Sequence, residues 1–576
     1  MNQKNNRKFN MKETIIILGA GVMQGPAITI AKELGFLTIA LDSNSSAPCV
    51  SMADRFEQID LKDKEGIETF ARSVQSNSKR LGIMTAGTDF SASVAWTAEK
   101  LELPGIPYKA ALNASDKSRM RECFKKANLP SPEFITITAD DIDSSALNNR
   151  IPLLFPLVLK PVDNMGSRGC KRVDSIDEFK EAAKTAIGFS RSGRAIAESF
   201  MDGPEFSVDA IVYRGEIRIC GLADRHIFFP PYFIEMGHTM PTAIEAEKQN
   251  VMLITFIEGV RALGIADENC IGAAKGDIKL TSHGPMIGEI AARLSGGYMS
   301  GWTYPYSSGV LPVKAAIQAA MGYKPDPVDL EPQKKWTCAE RAFISIPGTV
   351  KQIIMNSGKS VINNTGLFFD AIQKTDGNIN DLFLRIKEGD KVSFPENNVT
   401  KCGNIIASAP EIEKAVSSAE KAARSILIRL DPNDNKTQEF LAETKRHQSE
   451  DIDKQRDDKK FPPDAFILTE ELQKALDRLP EFKIPDLAHK PLIEIAPFPE
   501  FESSNLKDYM GRTVKDALEA VKVLTSVIIS SESQLGNICE PSKYAENIIL
   551  GRSFWKALVR GSYQGAVCYI DKLEVK

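Results

Sequence analysis

Two carboxylates, Asp277 and Glu289, flank the segment TSHGP within KGDIKLTSHGPMIGEIAARLSGG, residues 275–297. Apolar residues surround both acids, and Thr281, Ser282, His283, Gly284 and Pro285 read as the turn of a β-hairpin. A hairpin centred on His283 makes the two acids direct cross-strand neighbours, with Cβ atoms roughly 4.5–5.5 Å apart. Like charges held that close repel. A divalent cation is the simplest reason for such a pair, since Mg²⁺ favours one or two carboxylates plus phosphate oxygens. Arg293, four residues after Glu289, offers a bidentate grip on a phosphate or carboxylate. The plainer alternative is a surface hairpin with two solvated acids.

Other residues suit an anionic nucleotide. Lys160 closes an apolar strand and is followed by Gly166, Ser167, Arg168 and Gly169. A loop of this composition presents N–H groups to a polyphosphate while the lysine neutralises it. An exposed turn beside a solvated lysine fits equally well, and the Walker A pattern GxxxxGK[ST] is absent. In AESFMDGPE, the acid Glu198 at a strand end, with Phe200 and Glu205 beyond it, suits an adenine slot. There Glu198 accepts from the base amino group or a ribose hydroxyl, although a buried structural acid is as good a reading. GAGVMQG, residues 19–25, lies between a strand and a helix, and Asp42 ends the next strand. That resembles a dinucleotide fingerprint whose third glycine comes one residue late, and by itself it shows only a close backbone approach.

The elements that must position these residues alternate in type. A strand at 14–18, a helix at 26–34, a strand at 38–41 and a buried strand at 81–84 followed by TAGTDF predict a parallel sheet with helices on its faces. SDKSRMRECFKKANLP predicts a helix with Ser115 as N-cap, closed by Pro130. A strand at 151–160, a helix at 176–186 and a strand at 195–199 follow, and the chain to about 304 reads as largely β, with a hairpin at YRGE. Further short strands are expected over 335–410, with turns at PG, TDGN and EGD, and residues 410–430 read as a helix with Pro410 in its first turn. Residues 431–462 are a dense charge run, and DALEAVKVLTSVIIS is the best amphipathic stretch of a mostly helical C-terminal segment.

A chain of 576 residues is too long for one core. Its net charge of −4 gives no reason to expect nucleic acid. The short strand after the polar N-terminus is interrupted by glycine too soon for a signal peptide or membrane anchor. Nine scattered cysteines without CxxC suit reduced thiols in a cytoplasmic protein, and no HExxH zinc site occurs.

Taken in order, Lys117, Lys160, the glycine loop, Glu198, Glu205, Asp277, Glu289 and Arg293 resemble the ATP-grasp superfamily, especially its carboxylate–amine ligases and biotin-carboxylase-like branch, over about residues 11–430. The resemblance implies an α/β and α+β multidomain protein. A tail (1–10) precedes a Rossmann-like preATP-grasp domain (11–114). An ATP-grasp domain (115–325) follows, with lobes at about 115–190 and 191–325, then a β-rich/α lobe (326–430), a charged linker (431–462) and a mostly helical domain (463–576). It implies that Lys117 and Lys160 contact phosphates, that 166–169 is a loop closing over them, and that Glu198 sits at the adenine–ribose end. Asp277 and Glu289 would bind Mg²⁺, with Mn²⁺ admissible in its place, and Arg293 would orient an acyl phosphate or its carboxylate precursor. Asp89, Glu235 and His238 are the substrate-side candidates. One departure stands out: many members carry asparagine two residues after the second acid, where this chain has Ala291.

The activity implied is ATP-dependent joining of a small-molecule carboxylate to an amine through an acyl phosphate, with no nucleic acid and no membrane as partner. The competing readings are an NAD-dependent oxidoreductase built on GAGVMQG and Asp42, and a non-catalytic ATP-binding sensor or scaffold. Residues 431–576 suit a dimerisation module, which would make a homodimer, or a lid or docking domain.

Overall fold

The computed structural model describes residues 12–142, 154–355, 377–442, 474–476, 478–484, 486, 521 and 548–574. Contacts group the chain into two compact units: residues 1–165, 173–225 and 239–338 form the first, and residues 166–172, 226–238 and 339–576 the second.

The first unit begins with β1 (Glu13–Leu18), α1 (Gly25–Glu33), β2 (Leu37–Asp42), β3 (Arg55–Gln58), α2 (Lys64–Gln75), β4 (Arg80–Met84) and α3 (Ser91–Lys100). The strands form a sheet of order β3-β2-β1-β4, parallel throughout. Residues 14–18 of β1 are all buried, as a parallel strand covered on both faces requires. Ile15 and Ile17 face one core, with α1, and Ile16 and Leu18 another, with Ile67, Ala71 and Val74 of α2.

Two helices follow, α4 (Tyr108–Ser115) and α5 (Lys117–Lys126). The N-cap of α5 is Asp116, not the expected Ser115: the Asp116 carboxylate accepts from Arg119 N at 3.1 Å. The Ser115 hydroxyl donates back to Ala111 O within α4, because the preceding helix runs up to it. α5 stops at Lys126, with Asn128 left-handed (φ 54°), two residues before Pro130.

Next come β5 (Phe134–Thr138), β6 (Leu157–Pro161), β7 (Lys171–Val173), α6 (Ile176–Phe189) and β8 (Arg194–Ser199), with β8 pairing antiparallel to β5 and β6. The strand expected over 151–160 is therefore shorter: 154–156 lie outside it, and 151–153 outside the described residues. A second antiparallel sheet is built from β9 (Glu205–Tyr213), β10 (Glu216–Phe228), β11 (Ile234–Met240), β12 (Ile271–Thr281) and β13 (Gly284–Ala291), with α7 (Ala246–Ala262) between β11 and β12. In the first unit its order is β13-β12-β9-β10. The expected YRGE turn joins β9 and β10, with Arg214 and Gly215 both left-handed. α8 (Pro312–Ala320) buries its alanine face in the same core as α1.

The second unit holds β14 (Thr337–Phe343, from Ala339 on), β15 (Gly348–Met355), β16 (Asn378–Leu384), β17 (Lys391–Val392), β18 (Gly403–Ala409), α9 (Ile412–Ser425), β19 (Ile426–Leu430), α10 (Asn435–Ala442) and α11 (Arg552–Glu574). The helix expected over 410–430 ends at Ser425, and Ile426–Leu430 is a buried strand antiparallel to β15. A short apolar run has no period that separates helix from strand, and here the ladder to β15 decides. Pro410 precedes the Glu411 N-cap rather than sitting in the first turn. The charge run begins with α10, and its remainder lies outside the described residues, as does DALEAVKVLTSVIIS apart from Val521. Phe554, Trp555, Leu558 and Val559 of α11 lie in one core with β15 and β19. Among the described residues, no helix is long and apolar enough to cross a membrane.

Candidate active site

The β12–β13 hairpin sets Asp277 opposite Glu289, as the spacing predicts, but by a different route. The turn is the two-residue Ser282–His283, not a five-residue loop, and the strands pair from Thr281↔Gly284 back to Ile278↔Ile287. Gly288 is then skipped, and the pairing resumes at Asp277↔Glu289 and continues to Lys275↔Ala291. This β-bulge supplies the one-residue shift that a turn centred on His283 would have given.

The two carboxylates are each met by cations. Asp277 contacts Lys275 Nζ, lies 3.0 Å from Arg225 Nη1 and accepts from the Ser207 hydroxyl at 3.1 Å. Glu289 has Lys117 Nζ at 3.5 Å. Burial opposes its ionisation, but Lys117, Lys275, Lys160 and Arg293 together hold its carboxyl at about 2. Lys117, the first residue of α5, also donates from Nζ to Asn164 O at 2.9 Å.

Glu198, next to last in β8, is 1% exposed, with Arg121 Nε on one oxygen at 2.9 Å and Lys160 Nζ on the other at 2.6 Å. Burial works against its charge, and Arg121 and Lys160 outweigh it, so the carboxyl lies below its ordinary range. Both oxygens placed by sequence at an adenine or ribose are thus engaged by side-chain cations. Phe200 follows β8, with Lys279 Nζ 5.4 Å from its ring centre, and Glu205 at the start of β9 contacts Arg225.

Arg293 is 8% exposed. Its Nη1 donates to Leu294 O at 3.1 Å, and its Nε has no hydrogen-bond partner among the described residues. A buried guanidinium short of partners is costly, and an incoming anion would satisfy it. Asp89, in the loop after β4, feels Arg293, Lys117, Glu289 and, at 4.0 Å, Arg191; desolvation raises its carboxyl despite the three cations. The Ser295 backbone N–H, two residues past Arg293, donates at 2.7 Å to the fully buried Asp209, which Ser295 Oγ also contacts.

The remaining candidates belong to the second unit. Gly166, Ser167 and Gly169 are left-handed; Gly166 O accepts from Asn398 N at 2.9 Å, and Ser167 Oγ donates to Phe233 O at 2.8 Å. Arg168 lies within this loop. His238 is fully buried, with Nδ1 3.3 Å from the Glu340 carboxylate, and Lys401 Nζ donates to Glu235 O at 2.5 Å. Burial opposes the Glu340 charge, but His238, Lys401 and Asn404 draw its carboxyl below the usual range.

GAGVMQG serves the fold. Ala20 N and Asn44 N each donate to Asp42 at 2.9 Å, and the Gln24 amide accepts from Gly21 N and donates to Ala86 O. Its backbone approaches the protein's own loops, and Asp42 is taken by amides close by in sequence or on the adjacent turn.

Lys275, Arg225, Arg121 and Asp209 were not singled out by sequence. Lys275 sits two residues before Asp277 on the same strand face, and Arg121 four residues after Lys117 on one helix face, so both had a periodicity signal. Arg225 and Asp209 come together with the site only through strand pairing.

No three His, Cys, Asp or Glu side chains gather as a metal cage among the described residues. Two adjacent carboxylates fit Mg²⁺, which completes its octahedron with phosphate oxygens and water.

Residues 153–300 match the family model of the ATP-grasp domain, and residues 370–431 that of the L-amino acid ligase C-terminal domain 2. The chain is 22% identical over 338 residues to carnosine synthase 1 of Gallus gallus, covering 54% of this chain and 36% of that protein. It is 30% identical over 196 residues to D-alanine–D-alanine ligase of Ralstonia nicotianae, covering 32% of this chain and 56% of that one. The chain thus spans between about a third and just over half the length of these curated relatives. The crystal structure of L-amino acid ligase from Bacillus licheniformis superposes with a TM-score of 0.59 at 21% identity, over 73% of this chain and 99% of that one. The chain therefore carries an ATP-grasp domain, set in a fold it shares with that ligase.

Proposed function

We propose that this protein is an ATP-dependent carboxylate–amine ligase acting on small molecules. The observation that carries the reading is the buried, under-partnered Arg293 beside two cross-strand carboxylates ringed by lysines. Such a group of charges suits a substrate that brings several negative oxygens and a metal with it.

In the proposed reaction an oxygen of the substrate carboxylate attacks the γ-phosphorus of ATP, the bond to the β-phosphate oxygen breaks, and ADP leaves. The amine nitrogen then attacks the acyl carbon, phosphate departs with the acyl–oxygen bonding pair, and the nitrogen loses a proton. Lys117 and Lys160 would hold the phosphates, and Arg293 the carboxylate that becomes the acyl phosphate. Asp277 and Glu289 would hold Mg²⁺, or Mn²⁺ in its place, which when bound offsets phosphate charge. Asp89, half-buried and within the field of Arg293, suits the positive end of a substrate. The family resemblance assigns Glu198, Phe200 and Glu205 to the nucleoside end, 166–169 to the phosphates, and Glu235 and His238 to the substrates. The eight cysteines among the described residues are all free, which supports a reducing, cytoplasmic setting.

The deciding experiment is ADP release screened against single and paired amino acids with Mg-ATP. ADP formed only when a carboxylate and an amine are both present is the expected result. Thermal stabilisation by NADH but not Mg-ATP would instead favour the oxidoreductase, and ATP binding without phosphate release across the panel would favour a sensor.

A further inference from the structure

The bulge at Gly288 decides whether the two acids can work together. Side chains alternate along a strand, so a one-residue slip would turn Glu289 to the opposite face and set Gly288 against Asp277. A bulge leaves its extra residue out of the ladder, and something else must hold it. In this protein a single turn of α5 holds three consecutive residues of β13. Arg121 Nη2 donates to Gly288 O at 2.5 Å, Lys117 Nζ stands 3.5 Å from Glu289, and Ile290 N donates to the Met120 sulfur at 3.4 Å.

Of these, Arg121 reaches furthest. It is 0% exposed, and its Nε lies 2.9 Å from Glu198, whose other oxygen carries Lys160. One rigid fork thus joins the skipped residue of the metal-side hairpin to the lysine at the end of β6. Nη1 has no hydrogen-bond partner among the described residues, so the side chain is not arranged for maximal stability. Lysine, a single-point donor, cannot serve both partners with the geometry of a guanidinium.

We propose that Arg121 is a positioning residue that locks the Gly288 bulge and thereby the Asp277–Glu289 pair as a cation site in register with Lys160. The proposal rests on the ligase reading of this site, and its test is a binding measurement that needs no turnover. Mn²⁺ is titrated into the full-length protein with ADP present, and Tm is followed in parallel. The wild type is expected to bind Mn²⁺ saturably. Arg121→Lys is expected to raise the Mn²⁺ Kd about 10-fold, the lower end of what loss of an outer support costs a metal site. Gly288→Ala disturbs the bulge from the strand side, where an added Cβ would stand 3.1 Å from Asp277 O, and is expected to raise Kd in the same direction with Arg121 in place.

A merely structural Arg121 would lower Tm and leave the Kd of the folded protein unchanged. Wild-type Kd in both variants overturns the positioning role while leaving the ligase reading intact. A wild type that binds no Mn²⁺ with ADP overturns both. If Arg121→Lys does not fold, Gly288→Ala decides alone.

Discussion

Asp42 and Glu289 are both strand acids of the first unit, and sequence offers each a part in binding: one in a dinucleotide-like fingerprint, the other at a metal. Their surroundings differ in kind. Asp42 spends its oxygens on the backbone N–H groups of Ala20 and Asn44. Glu289 is faced by Lys117, Lys275, Lys160 and Arg293, which are side-chain cations on separate elements. Backbone amides bound to a carboxylate are part of the chain's own folded path, and a ligand would have to break them. Side-chain cations can turn to share an incoming anion. The first acid holds a loop, and the second is set among cations that suit the proposed chemistry.

The largest expected effect follows from removing the second acid. Glu289→Gln should reduce substrate-dependent ADP release by about 10²–10³-fold, the usual scale for losing one oriented charge contact to a reacting group. Asp42→Asn, measured in the same assay per folded molecule, should change it by less than about 2-fold. Equal losses in the two variants would erase the contrast.

Arg293→Met sharpens it further. Loss of the guanidinium should cut ADP release by about 10²-fold. Because Nε has no partner and the charge is buried, Tm without ligands should hold steady or rise. A fall of many degrees would mean that Arg293 is a structural residue like Asp42.

Asp42→Ala should behave in the opposite way. It strands the buried Ala20 N–H, while the exposed Asn44 N–H can turn to water, and urea unfolding should show a loss of about 1–3 kcal/mol. NADH should give no thermal shift in the wild type.

The smallest effect is a pH dependence. The Glu289 carboxyl is depressed from its ordinary 4.5 to about 2 in the folded protein. Its stabilising contribution is therefore complete above about 4.5 and fades as pH falls towards 2. The stability difference between wild type and Glu289→Gln should stay flat from about pH 5 to 8 and shrink below about 4.5. A difference that instead varied around neutral pH would contradict the depressed carboxyl.

Much of the first unit was legible in sequence. The runs at 14–18, 38–41 and 81–84 are apolar on both faces, and only a buried parallel sheet uses such strands readily. The hairpin was legible because turn residues and alternating apolar positions bracket two acids. The strand Ile426–Leu430 was not, since its partner lies some 75 residues earlier in β15. The N-cap of α5 was misplaced by one residue because Ser115 and Asp116 are both good caps, and only the extent of α4 separates them.

Residue type and spacing by themselves determined which side chains carry charge and which strand face each acid takes once a register is given. That is local chemistry, written in periods of two and 3.6. Tertiary structure decided the rest: that the register shifts at Gly288, that Arg121 holds that shift, that Glu198 is met by two cations, and that Asp42 is consumed by its own loop. Each depends on partners brought together from distant parts of the chain, and no local pattern encodes which buried donor will meet which acceptor.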